Sequence, residues 1–130
     1  MVDKKVKQGE ENNAMDLRQT ILSSKDIREE IITIDSWGVD ILVRGLTGEA
    51  RNSVLTNNIN PKTKQVDIGK AYPELIIATA YNPKTREKIF KMADRDALNK
   101  KSGEALEEIA KKAMELSGIT VKEMGEIEKN

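Results

Sequence analysis

Apolar positions along the chain follow two kinds of spacing. In the last third, Leu106, Ile109, Ala110, Ala113, Met114 and Ser117 recur at intervals of three and four, which places them on one side of a helix over 103–117. Glu104, Glu107, Glu108, Lys111, Lys112 and Glu115 fall largely on the other side, with Glu107 to Lys111 and Glu108 to Lys112 in the favourable i,i+4 order. Ser102 is placed to cap the start of this helix and Gly118 its end. Thr120, with Glu123 three residues on, then restarts a final helix carrying Val121, Met124 and Ile127.

Nearer the N-terminus the spacing drops to two. The β-branched runs over 30–35 and 39–44 are separated by Ser36-Trp37-Gly38, which predicts a hairpin. Ile32 and Ile34 share one face, and Val39, Ile41 and Val43 share another. Before this hairpin, Asp16 and Gln19 match a capping box for a short helix whose apolar side is Leu17, Ile21 and Leu22, and Ile27 in the following linker packs inward. After it, Thr47 is a candidate N-cap for a helix over 48–57, with Ala50, Val54 and Leu55 as its apolar side. Asn57, Asn58, Asn60 and Pro61 end that helix, and residues 62–65 form a polar loop.

The run from Tyr72 to Tyr81 is ambiguous, because a short continuous apolar stretch fits a buried helix or a strand. The turn signal Asn82-Pro83-Lys84-Thr85, followed by Lys88-Ile89-Phe90, favours a strand and a second hairpin. Asp94 then caps a short segment containing Ala97 and Leu98. The expected fold class is therefore α+β: a small antiparallel sheet of two hairpins packed against a mainly helical C-terminal half. Residues 1–14 hold only Val2 and Val6 as branched aliphatics and read as a flexible tail, leaving 15–130 as a single domain.

Composition narrows the chemistry. The chain has 22 basic and 22 acidic side chains, so no global field holds it on a phosphate backbone or an anionic membrane. With neither Cys nor His, it lacks thiol nucleophiles, disulfides and the usual zinc ligands. No apolar run approaches the roughly 20 residues that span a bilayer, and the charged N-terminus is not followed by a signal-peptide core, so a cytoplasmic setting is expected.

Candidate catalytic groups do not converge. Asp94 and Asp96, or Glu107 and Glu108, would point to different sides of a helix. Glu104 and Glu108 share a face, but one solvated among lysines. Ser102 beside Lys100 and Lys101 admits a Ser/Lys dyad, yet an N-cap accounts for it more simply. Gly45 and Gly48 do not make a nucleotide phosphate loop. Residues 84–101 are locally basic through Lys84, Arg86, Lys88, Lys91, Arg95, Lys100 and Lys101, but without interleaved aromatics. No catalytic, cofactor or metal residue is assigned. The expected role is binding or assembly, with Trp37, Met124 and Ile127 as protein-contact candidates. Leu106, Ile109, Ala113 and Met114 are assigned first to the protein's own core.

Several segments in order carry a resemblance: Met15-Asp-Leu-Arg18, the stretch 30–43 with Trp37-Gly38, Val43-Arg-Gly-Leu-Thr-Gly-Glu-Ala-Arg51, Ala80-Tyr-Asn-Pro-Lys-Thr-Arg-Glu-Lys-Ile-Phe90, Asp94-Arg-Asp-Ala-Leu98, Lys101-Ser-Gly103, Ala113-Met-Glu-Leu-Ser-Gly118 and Glu126-Ile-Glu-Lys-Asn130. Over residues 15–130 the chain resembles the tail assembly chaperones of long-tailed bacteriophages and related prophage elements.

The resemblance implies a non-catalytic chaperone that holds the tape measure protein while tail tube subunits polymerise around it. It also implies self-association, a possible longer form made by translational frameshifting, possible contact with the tail tube protein, and absence from the mature virion. Neither a cofactor nor a membrane partner is implied. The alternatives are a minor structural or connecting subunit of the phage tail, and a small nucleic-acid-binding regulator using the basic segment 84–101.

Overall fold

The structure, a computed structural model, describes residues 16–120 apart from the side chain of Ile68. It is an α+β arrangement in which the described elements run α1 (16–23), β1 (Glu29–Ile34), β2 (Val39–Arg44), α2 (Gly48–Asn57), α3 (Ile68–Thr79), β3 (Ala80–Tyr81), a 3-10 turn (Met92–Asp94), α4 (Arg95–Asn99) and α5 (Gly103–Ser117). The three strands form one antiparallel sheet in the order β1-β2-β3.

The first hairpin forms as its alternation predicts, but its faces are assigned differently. Ile32 lies opposite Ile41 and Ile34 opposite Val39, so the two sets expected on separate faces share one. Antiparallel partners directly opposite each other necessarily point the same way, and this inner face carries the core. Ile34, Ile41 and Val43 are buried there with Ile109, Ala110 and Ala113 of α5 and Leu75 and Ile76 of α3.

The second hairpin is nearly absent. The run read as a strand is helical to Thr79, which leaves only Ala80 and Tyr81 to pair with Val43 and Leu42. The return segment makes one isolated bridge, Tyr81 to Lys88. Asp67 caps α3 by accepting the Lys70 N–H at 3.2 Å, while Pro73 lies inside the helix and has no N–H to donate to the carbonyl four residues before it. Burial of Ala71, Leu75, Ile76 and Ile77 leaves few polar positions in α3 to betray its helical period.

Helix α5 has the predicted bounds and caps. Ser102 Oγ accepts the Ala105 N–H at 3.3 Å, and Gly118 closes the helix at φ +69°. Leu106, Ile109, Ala113 and Met114 are all buried, as the core assignment requires. The last turn of α5 is tied to the sheet: Arg28 Nη2 donates to the Glu115 carbonyl at 2.6 Å, and the Leu46 N–H donates to Ser117 Oγ at 2.9 Å. Gly45 is required here, because a Cβ at this position would collide with the Leu116 carbonyl.

Two cap assignments change. Asp16 is already helical, so it is not the N-cap of α1. Asp94 Oδ2 accepts the Lys91 N–H at 2.8 Å and so caps the 3-10 turn, making no side-chain cap for α4. Thr47 caps α2 as expected, through the Ala50 N–H at 3.1 Å. The tail assigned to residues 1–14 and the final helix placed after Thr120 lie outside the described residues.

Candidate protein-contact surface

Trp37 sits where the first hairpin reverses. The Trp37 and Gly38 N–H groups both donate to the Ile34 carbonyl, at 3.0 and 2.9 Å, and Gly38 adopts φ +65°, a conformation costly for residues with a Cβ. The ring is half-buried against the core. One side of it borders a cleft of about 250 Å³ whose apolar lining also includes Val39, Ile41, Pro83, Ile89 and Phe90, with Asp40 as its single charged residue. Val39 is 45% exposed and Ile89 40%, so the cleft presents apolar surface to water. Phe90 is also a wall of a second cleft of about 300 Å³, formed with Asp94, Ala97, Leu98 and Lys101.

The far wall of the Trp37 cleft is a braced loop. Asn82 Oδ1 accepts the N–H groups of Lys84 and Thr85 at 2.8 and 3.2 Å, while the Asn82 N–H donates to the Glu87 carbonyl at 2.8 Å. Arg86 Nη2 then reaches both carboxylate oxygens of Glu29 on β1, at 2.7 and 2.9 Å. Arg44 Nε stands 3.1 Å from the same carboxylate, outside hydrogen-bonding alignment, and its guanidinium carbon lies 5.3 Å from the Tyr81 ring centroid. The Arg86 hydrogen bond, more than the opposing desolvation, holds the Glu29 carboxyl below its usual range.

Polar groups elsewhere have structural roles. Glu74 accepts from Asn57 Nδ2 at 3.0 Å and from Asn58 Nδ2 at 2.9 Å, which joins α2 to α3. Arg95 stands 3.9 Å from Glu74 and donates to the Lys70 carbonyl at 2.8 Å. Of the basic segment 84–101, Arg86 and Arg95 are therefore engaged within the protein. No group of three or more acidic side chains among the described residues is arranged to hold a metal ion.

The sequence model of the phage tail assembly chaperone family matches residues 16–130, which includes every described element. The chain belongs to that family. Among solved structures, the tail assembly chaperone of bacteriophage HK97 is similar, with a TM-score of 0.57 at 16% identity over 82% of this chain and 98% of that one. At that identity the likeness speaks for a shared fold. No curated protein sequence matches the chain.

In this tail assembly chaperone the contact candidates separate. Trp37 lies at an accessible apolar cleft, whereas Met124 and Ile127 fall outside the described residues. Sequence reasoning missed the cleft, because Ile89 and Phe90 come to Trp37 and Val39 from a segment far along the chain. It also left open that Leu17, Ile21 and Leu22 of α1 would be more than half exposed. No described helix is long and apolar enough to cross a membrane.

Proposed function

We propose that this tail assembly chaperone works without catalysis, in the bacterial host cytoplasm, by holding the tape measure protein during tail tube assembly, and that the Trp37 cleft is a principal contact. The observation that carries this reading is the cleft itself: a half-buried indole flanked by exposed Val39 and Ile89, in a chain of this family. Aromatic and aliphatic side chains in such a setting gain by desolvation when an apolar side chain of a partner enters. Exposed Asp40, the one charged residue of the lining, gives this apolar surface a polar edge.

Met124 and Ile127 belong to the same proposal as further contacts, as do self-association and contact with the tail tube protein. A decisive experiment co-expresses the full chain with tape measure segments and follows co-purification and size. Trp37→Ala combined with Val39→Ser is expected to abolish retention of a segment that the wild-type chain retains, with the circular dichroism spectrum unchanged. Met124→Asp with Ile127→Asp tests the C-terminal contact in the same assay. Failure of the wild-type chain to retain any soluble segment would overturn the reading. Stable presence of the protein in purified tails would instead favour a structural subunit.

A further inference from the structure

The tetrapeptide Asn-Pro-Lys-Thr occurs twice, each time followed by a basic residue: Asn60-Pro61-Lys62-Thr63-Lys64-Gln65 and Asn82-Pro83-Lys84-Thr85-Arg86-Glu87. Both copies fold alike. In the first, Asn60 Oδ1 accepts from the N–H groups of Lys62 and Thr63 at 2.8 and 3.3 Å, matching the bonds of Asn82. The Lys64 and Arg86 N–H groups donate to the carbonyls of Asn60 and Asn82 at 2.8 and 2.7 Å. Thr63 and Thr85 each accept, at 3.3 Å, the N–H of the residue two further on. An isolated bridge closes each loop, Ile59 to Val66 and Tyr81 to Lys88.

This geometry explains Asn, Pro and Thr, which make such turns by local hydrogen bonding and a fixed φ. It does not explain the cations. Lys64 and Arg86 stand at φ +64° and +63°, where Gly or Asn would be less strained. Arg86 uses that position to place its guanidinium on the Glu29 carboxylate. Lys64 holds the same backbone position, is exposed, and makes no ion pair or side-chain hydrogen bond among the described residues; the same is true of Lys62. Beside them Ile59 is 42% exposed. The loop thus offers two cations next to an exposed apolar side chain; a carboxylate-bearing polypeptide can use both, whereas a phosphate backbone uses the charges alone.

We propose that the loop at 60–65 is a second anchor for the client, with Lys62 and Lys64 pairing with carboxylates of that polypeptide as Arg86 pairs with Glu29 and with Ile59 supplying apolar contact. The inference rests on the client-holding role proposed above. The two loops flank α3, whose 12 residues rise about 18 Å.

The test uses the full chain and a tape measure segment that the wild-type chain retains, with affinity measured at low and high salt. Lys62→Glu with Lys64→Glu is expected to weaken binding at least about fivefold at low salt, the gap closing at high salt. Lys62→Gln with Lys64→Gln should show a smaller loss of the same kind, and thermal unfolding of each variant reports whether the loop still folds. Neutralising the segment's own Asp and Glu residues should remove the difference between wild type and variant. Wild-type affinity in both variants at low salt would overturn the proposal, as would an undiminished difference on the neutralised segment or a loss confined to duplex DNA binding. In each of those cases the wild-type chain still retains its segment, so the client-holding role survives. If the wild-type chain retains nothing, both readings fall.

Discussion

Helices α3 and α5 pack against each other and are the two longest described, yet they meet their surroundings differently. Helix α5 lays one face on β1, β2 and α3 and turns Glu104, Glu107, Glu108 and Lys111 to water. Helix α3 contacts α2, α4 and α5, and its consecutive residues Leu75, Ile76 and Ile77 are all buried. Successive helical residues are about 100° apart, so those three positions cover an arc of roughly 200°. The difference teaches that α5 is a wall of the core and α3 its centre post.

That contrast makes its largest prediction in truncation experiments. Leu75→Ala, Ile76→Ala and Ile77→Ala should each cost about 2–5 kcal/mol, because each leaves a cavity on a different side of α3. On α5, Ile109→Ala should cost a similar amount, while the adjacent Glu108→Ala should stay within about 0.5 kcal/mol. Urea unfolding of the five variants measures this. If Ile77→Ala proved as mild as Glu108→Ala, α3 would be a one-sided helix like α5 and the comparison would collapse.

The same contrast decides how much of the protein is legible in its sequence. A helix with a wet face writes its period into the chain, which is why 103–117 can be bounded by Ser102 and Gly118 with no structure at hand. A helix covered on several sides loses that record, and Leu75-Ile-Ile then resembles a buried strand. Pro73 and the following Asn82-Pro83 turn reinforce that impression, whereas the cap at Asp67 is the local signal pointing the other way. Trp37 is conspicuous at a predicted turn, with Val39 two residues on, but Ile89 and Phe90 become its neighbours only through tertiary folding. The duplicated Asn-Pro-Lys-Thr loop is visible to simple self-comparison of the sequence. That Arg86 has found Glu29 while Lys64 has no such partner among the described residues is visible only in three dimensions.

Caps sharpen the comparison because they are local. Asp67 and Ser102 each accept an N–H three residues on, at 3.2 and 3.3 Å, despite the unequal burial of the helices that they start. Asp67→Ala and Ser102→Ala should therefore cost nearly the same, about 1 kcal/mol each, in thermal or urea unfolding. A much larger loss for Asp67→Ala would mean that the start of α3 is coupled to the α2–α3 connection, where the Asp67 N–H donates to the Asn58 carbonyl at 2.8 Å.

The smallest expected effect lies where α5 meets the rim of the sheet. Lys112 Nζ is 3.1 Å from Glu115 and 3.2 Å from Glu30 of β1, and these partners, Glu115 first, raise its pKa above the ordinary value of 10.5. A raised lysine pKa means that the folded state holds the proton more tightly, so the stabilisation is complete below pH 10.5 and is lost as the pH rises through the higher folded value. Glu29 behaves oppositely. Its carboxyl, lowered chiefly by the Arg86 hydrogen bond, contributes above the ordinary value of 4.5 and loses that contribution as the pH falls towards its folded value. Melting curves of wild type against Lys112→Gln should thus converge as the pH rises through the alkaline range, and those against Glu29→Gln as it falls through the acid range. Lys112 is partly buried and Glu29 exposed, but both pairs reach the solvent and weaken in salt, so the differences should be slight and should shrink further as ionic strength rises. A Lys112→Gln difference that persisted unchanged through the alkaline range would mean that the effect comes from the packing of the Lys112 side chain between α5 and β1 rather than from its charge.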